Sequence, residues 1–325
     1  MIEFRHVTKR FADGTVAVDD LSLVAPSHQI TVLVGPSGCG KTTSLRMVNR
    51  MVDPSDGQIL VDDEDIHALD AVRLRRGIGY VIQHAGLFPH KTVVDNIATV
   101  PKLLGWSRQQ ARQRALELID QVGLEQQYAE RYPAQLSGGQ QQRVGVARAL
   151  AADPPIMLMD EPFSAVDPVV RAQLQDEFLR LQRDLAKTIV FVTHDIDEAI
   201  KLGDNIVVLR VGGRLAQTDT PAGLLANPTD DFVAGFIGRD RGYRALSFVP
   251  GDDLRIQPLP DGVHVDTSYP YRRGGPLKAA LDATLTAPGG RAVVVDERGT
   301  AVGVIDHQDV LAAVRRAETQ RAETA

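Results

Sequence analysis

The stretch Gly35-Pro36-Ser37-Gly38-Cys39-Gly40-Lys41-Thr42-Thr43 constrains this chain more than any other part of it. It follows the apolar run from Ile30 to Val34, so the order is strand, glycine-rich turn, helix start. Gly35, Gly38 and Gly40 permit positive φ and a close backbone approach, which lets several N–H groups converge on phosphate oxygens at a helix N-terminus. Lys41 supplies a point charge for the β- and γ-phosphates, and the Thr42 hydroxyl is placed to ligate Mg2+. A turn that only caps a helix has no need of the full G-x-x-x-x-G-K-T spacing. A nucleoside triphosphate is the expected ligand.

Around this loop, strand and helix patterns alternate. Ile2 to Phe11 and Val16 to Ala25, joined by the turn Asp13-Gly14, read as an antiparallel β region. Gln58 to Val61 and Ile78 to Gln83 are short strands, and Thr92 to Leu104 carries one helical pattern. In the next helix, Ser107 and Gln110 form a capping box, Ala111, Ala115, Leu118 and Val122 line one face, and Gly123 ends it. Further helices are expected from Ser137 to Leu150, from Asp167-Pro168 to about Leu185, and after Asp195 with Glu198. Between them Ile156 to Met159 and Thr188 to Thr193 read as buried strands, and Ile206 to Leu209 followed by Gly212-Gly213 as a hairpin. This alternation predicts an α/β fold with a mainly parallel sheet and helices on both faces.

The texture changes after Gly238, where prolines 250, 258, 260, 270 and 276 break any regular period. Three divisions are expected: residues 1–238 as the nucleotide-binding domain, 239–272 as a linker or irregular segment, and 273–325 as a small second domain. In the last, Pro276 to Thr284 reads as helix, Ala292 to Val295 and Ala301 to Ile305 as strands about the turn Arg298-Gly299, and Gln308 to Ala317 as helix.

Composition rules out little but orients the rest. A net charge of -6 gives no global attraction to nucleic acid, and none is expected as a partner. A single cysteine, Cys39, cannot form an intramolecular disulfide, and the expected compartment is a reducing cytoplasm. Beside Lys41 its thiol pKa could fall; alternatively Cys39 is a small residue whose side chain points away from the nucleotide. No window approaches the roughly 18 apolar residues of a membrane span, so any membrane crossing falls to another chain.

Two further motifs carry chemistry. Ile156-Met157-Leu158-Met159-Asp160-Glu161 delivers two carboxylates to the sheet edge where the phosphate loop lies, Asp160 toward Mg2+ and Glu161 toward the attacking water. In Leu136-Ser137-Gly138-Gly139-Gln140, Ser137 caps the next helix and two glycines leave its N–H groups open to an anion. Because Gly35 to Thr43 already cradle one nucleotide, this second phosphate-facing helix start implies a dimer closed over two.

These motifs, in this order, resemble the ATPase subunits of ABC transporters over about residues 1 to 238. The resemblance implies a P-loop NTPase fold with antiparallel β and helical subdomains, ATP and Mg2+ as ligands, and a set of residue roles. Gly35 to Thr42 match Walker A, Gln83 the Q-loop, Leu136 to Gln140 the signature, Ile156 to Glu161 Walker B, Ser164-Ala165-Val166-Asp167 the D-loop and His194 the switch histidine. Glu161, His194, Gln83 and Asp167 are the implied catalytic residues, and Thr42, Gln83 and Asp160 the implied metal ligands. For Phe11 two readings stay open, an aromatic that stacks on adenine and a buried strand residue. Asp167 also reads as an N-cap, and both roles are compatible.

The segment from Gln83 to Val93, with Asn96-Ile97, resembles the osmoprotectant importers for glycine betaine, carnitine, choline or proline betaine. The tail, from Pro276-Leu277-Lys278 through Val302-Gly303-Val304-Ile305 to Asp309-Val310-Leu311, is similar to one CBS motif, with residues 241 to 272 as a degenerate first copy. Asp306 departs from that motif, which places Thr or Ser there for a nucleotide; a carboxylate repels phosphate. The resemblance implies a homodimer at the cytoplasmic face of the membrane, with a permease and an extracytoplasmic solute-binding protein as partners. The alternative is an amino-acid importer with a regulatory tail.

Overall fold

The computed structural model describes residues 1–83, 85–164, 166–259 and 269–324, with residues 318 and 320–324 described by backbone alone. His84, which lies in the segment after Gln83, Ala165 of the Ser164 to Asp167 motif, and 260–268 of the stretch expected as linker fall outside the described residues. The chain divides into two units, Met1–Leu224 and Leu225–Ala325. The first division therefore falls at Leu224 and not at Gly238.

In the first unit the fully buried run Ile30–Val34 forms β3, after β1 (Ile2–Arg10) and β2 (Val16–Ala25). It is followed by α1 (Lys41–Val48), β4 (Asp56–Val61), β5 (Glu64–Asp65), α2 (Ala71–Arg76) and β6 (Ile78–Val81). Beyond the helices α3 (Val93–Ile97), α4 (Thr99–Leu103), α5 (Arg108–Gln121) and α6 (Gly138–Leu150) come β7 (Ile156–Asp160), α7 (Pro168–Leu185), β8 (Thr188–Thr193) and α8 (Ile196–Leu202). The hairpin β9 (Asn205–Arg210) and β10 (Arg214–Asp219) precedes α9 (Pro221–Ala226).

Among the described residues, six strands make one sheet in the order β10-β9-β3-β8-β7-β6. All neighbours in it are parallel except β10 against β9. A second, antiparallel sheet has the order β2-β1-β4-β5. Alternation within the parallel strands separates two cores. Leu33, Leu158, Val190, Val192 and Val207 pack toward α1 and the antiparallel sheet. Phe191 faces the other way, its ring 5.9 Å from Phe163 and 6.3 Å from Phe178 of α7. Both faces are covered, as expected of strands with continuous apolar runs.

Two expected elements differ. The Ile78 strand stops at Val81, leaving Gln83 in a bend beyond the sheet edge. The single helix expected from Thr92 to Leu104 is two, with Thr92 capping the first through Asp95 N–H. Pro101 has no N–H for the Ile97 carbonyl, so the ladder breaks at Ala98. The capping box of Ser107 and Gln110 and the positive φ of Gly123 (68°) delimit α5 as its sequence predicts.

The second unit contains α10 (Asp231–Ile237), α11 (Arg241–Ala245), β11 (Tyr271–Arg272), α12 (Leu277–Thr286), β12 (Arg291–Val295), β13 (Ala301–Asp306) and α13 (His307–Thr324). The strands pair in the order β11-β12-β13, parallel then antiparallel. The proline-rich stretch is not a bare linker: Val249, Leu254 and Tyr271 are buried with Leu277, Val294, Ile305 and Val310. Pro250 and Pro276 form an isolated antiparallel bridge. Burial pushes the Tyr271 phenol up to about 12, and its hydroxyl donates to the Gly275 carbonyl at 2.6 Å.

Candidate functional site

The phosphate loop leaves β3 and enters α1 with Gly40 as N-cap, at φ 99°. A Cβ there would lie 2.2 Å from the Ala17 carbonyl oxygen, so only glycine fits. No side chain caps α1 and no acid sits in its first turn, leaving its N–H groups for an anion. Lys41 is buried, and its ammonium donates to the carbonyls of Gly35 (2.8 Å) and Pro36 (3.0 Å). Cys39 is wholly buried in the core, where desolvation pushes its thiol above the ordinary range despite Lys41. Of its two readings, the inward-pointing small residue is the one observed, so Cys39 offers the loop its backbone.

At the end of β7, Asp160 is buried and accepts a 2.8 Å hydrogen bond from the Thr42 hydroxyl. Burial pushes its carboxyl pKa up, and the Thr42 bond opposes this. Glu161 has a positive φ of 46°, a conformation costing a non-glycine residue about 1–2 kcal/mol. Its N–H donates to the Val192 carbonyl at 2.9 Å, pinning this turn to β8. The carboxylate lies 3.1 Å from His194 Nδ1 and 3.5 Å from Gln83 Nε2. A carboxylate beside Nδ1 favours the proton on that nitrogen, which leaves Nε2 as the free ring atom. Thr42, Gln83, Asp160, Glu161 and His194 thus gather where β3, β6, β7 and β8 end side by side.

Other expected site residues lie outside this cluster. Ser137 accepts from Gln140 N–H at 3.3 Å and donates its own N–H to Gln140 Oε1 at 2.9 Å, a capping box closed on itself. Gly138 and Gly139 follow in the first turn of α6. None of Ser137, Gly138, Gly139 or Gln140 hydrogen-bonds to the phosphate loop. Helix α6 packs on β6, α3 and α5, whereas α1 packs on β7 and β8. Asp167 is exposed and caps α7 through Val169 N–H at 3.0 Å. Phe11 lies just past β1 and is 40% exposed, with Lys9 Nζ 5.3 Å from its ring centre, so the buried-strand reading is excluded.

Among the described residues no three His, Cys, Asp or Glu side chains cluster as a metal site. The Thr42 hydroxyl, Asp160 carboxylate and Gln83 amide oxygen are hard donors with one carboxylate among them. That set fits Mg2+, which keeps waters and shares phosphate oxygens, better than a softer metal.

Residues 18–164 match the family model described as ABC transporter. The chain is 47% identical over 310 residues to the carnitine transport ATP-binding protein OpuCA of Listeria monocytogenes, covering 95% of this chain and 76% of that protein. This chain belongs to the ABC transporter ATP-binding proteins. Over 313 residues it is 46% identical to the glycine betaine uptake system ATP-binding protein YehX of Escherichia coli K12, covering 96% of this chain and 99% of that one. Its fold matches the dimeric, post-hydrolysis structure of the ATP-binding cassette MJ0796 bound to ADP and Pi, with TM-score 0.62 and 34% identity over 68% of this chain and 99% of that one. This ABC protein is accordingly an ATP-hydrolysing one. No helix among the described residues is long and apolar enough to cross a membrane.

Two residues of this ABC ATPase that no sequence motif marks hold the loop after Gln83. Asn96 is fully buried and ties down the loop after Gln83: its amide donates to the carbonyls of Phe88 (3.1 Å), Lys91 (3.1 Å) and Thr92 (3.0 Å) and accepts from Phe88 N–H (2.7 Å). Arg148 of α6 binds carbonyls of the same loop. The polar pair Asp95-Asn96 between the apolar Val94 and Ile97 is the sequence sign of the former.

Proposed function

We propose that this chain powers import of a quaternary-ammonium osmoprotectant, such as glycine betaine, carnitine, choline or proline betaine, through a separate permease. The observation that carries the catalytic half is the Glu161 carboxylate held between Gln83 and His194 beside the Thr42–Asp160 pair. The solute class rests on the names borne by its relatives, which include the choline transport ATP-binding protein OpuBA of Bacillus subtilis, 54% identical over 247 residues covering 76% of this chain and 65% of that one.

In the proposed reaction Phe11 stacks on adenine, and the N–H groups from Gly38 to Thr43 hold the phosphates. Lys41 would exchange the carbonyls of Gly35 and Pro36 for β- and γ-phosphate oxygens, and Thr42, Asp160 and Gln83 would hold Mg2+. Bound Mg2+ supplies charge neutralisation on the phosphates. Glu161 takes the proton of the attacking water, and His194 turns Nε2 to the γ-phosphate. Ser137 with Gly138, Gly139 and Gln140 faces the nucleotide of a second copy, because its hydrogen bonds within one copy stay in the first turn of α6, with Gln140 and the Gln141 N–H. Asp167 lies at the same junction. A homodimer on the cytoplasmic face, with the permease seated near Phe88 and a solute-binding protein outside, completes the complex.

The test is uptake by the complex assembled with its own permease and binding protein. ATP-dependent accumulation of one of these quaternary ammonium solutes is the expected result; accumulation of an amino acid instead would replace this reading by the other importer class.

The strand and helix order β11-α12-β12-β13-α13 supports the CBS-like reading of the tail. The Asp306 carboxylate accepts from Gln308 N–H (2.8 Å) and Asp309 N–H (3.0 Å), and these bonds hold it below the usual range. It therefore fills the α13 start that a phosphate would use, which favours a response to ionic strength over nucleotide sensing. Because Val249, Leu254 and Tyr271 share the tail's core, the deletion to make is 239–325 and not 273–325. Transport by that variant is expected to lose its dependence on salt; unchanged dependence would remove the sensor role.

A further inference from the structure

Helix α6 lies directly on the loop that carries Gln83. At Gly145 the helix has no side chain, and a Cβ there would sit 3.5 Å from both Cα and Cβ of Ala85, an ordinary van der Waals distance, so the helix passes within one methyl group's reach of the loop. One turn on, Arg148 spreads its guanidinium over the same loop, Nη2 donating to the Ala85 carbonyl at 2.6 Å and Nη1 to the Gly86 carbonyl at 2.7 Å. Arg148 has no carboxylate partner among the described residues, and burial pushes its pKa below the ordinary value. A partly buried cation satisfied by carbonyls is an expensive way to fill space, since an apolar side chain would pack there without desolvating a charge. What the guanidinium provides, and an apolar group does not, is a rigid two-pronged hold on consecutive carbonyls.

We infer that Arg148 is a positioning residue that acts through Gln83: it locks the loop bearing Gln83 to the helix that begins at Ser137, so that the two move as one body. The twelve residues from Ser137 to Arg148 span about 16 Å of continuous helix, stiff enough to carry a displacement of Gln83 to the far end. Gln83 touches Glu161 in this chain, while Ser137 caps the opposite end of α6. The inference rests on the assignment of Gln83 as a ligand of the reacting metal and phosphate.

A double-mutant cycle on the purified full-length chain tests it, reading kcat and ATP affinity for Gln83→Ala, Arg148→Met and the pair. Each single variant is expected to lower kcat about 10-fold or more, Arg148→Met with ATP affinity unchanged, and the pair is expected to be no slower than Gln83→Ala alone. A pair whose loss is the product of the two single losses would overturn the inference, since Arg148 would then act independently of Gln83. If Gln83→Ala itself turns over like the parent, the assignment of Gln83 fails and Arg148 has nothing to act through, a result distinct from the first. Should Arg148→Met not fold, Arg148→Lys enters the same cycle; it keeps charge and stem but reaches only one carbonyl.

Discussion

Glu161→Gln is expected to slow ATP hydrolysis about 100- to 10,000-fold while leaving ATP affinity nearly intact, the range for losing a general base. The substitution keeps the side chain's length and removes its negative charge, and with it the ability to accept a proton. It also leaves the backbone undisturbed, because the positive φ of this position and its N–H bond to the Val192 carbonyl do not depend on the carboxylate. ATP meets the loop from Gly35 to Thr43, which Glu161 does not hold in place, so binding and turnover should separate. Equilibrium binding of ATP beside steady-state phosphate release reads both quantities. Hydrolysis at the parental rate would place the base elsewhere, with His194 the next residue to examine.

That this cluster could be anticipated follows from how parallel strands end. Val34, Val81, Asp160 and Thr193 close neighbouring or near-neighbouring strands, so residues just beyond them are brought together by register alone. The glycines of the phosphate loop were equally legible, since the close approach to Ala17 at Gly40 admits no other residue. Asn96 and Arg148 were not, because their partners are main-chain carbonyls, which every residue type carries and no motif records. The left-handed turn at Glu161 was hidden for a related reason: glycine or asparagine usually announces such a turn, and here tertiary bonds to β8 impose it. In the tail, the spacing of prolines suggested a linker where Val249, Leu254 and Tyr271 in fact enter the core, since prolines break a regular period without preventing the apolar residues between them from packing.

Ser137→Arg is expected to abolish turnover while a single copy binds ATP as tightly as the parent. In one chain the phosphate loop and Ser137 are carried by helices that pack on different strands, and the hydrogen bonds of Ser137 stay within its own helix start, to Gln140 and Gln141. The substitution removes that capping box, at a cost of about 1 kcal/mol, which lowers Tm by only about 2–4 °C for a unit of this size. Folding therefore survives, and the loss of activity has another source: a long cation at the start of α6 fills the space a facing γ-phosphate must enter and replaces the helix N–H groups that would bind it. ATP affinity at concentrations where the chain is monomeric, measured beside turnover at concentrations where it dimerises, separates the two contributions. Equal loss of both would mean that Ser137 serves the nucleotide of its own chain, and the two-copy arrangement of the site would have to be abandoned.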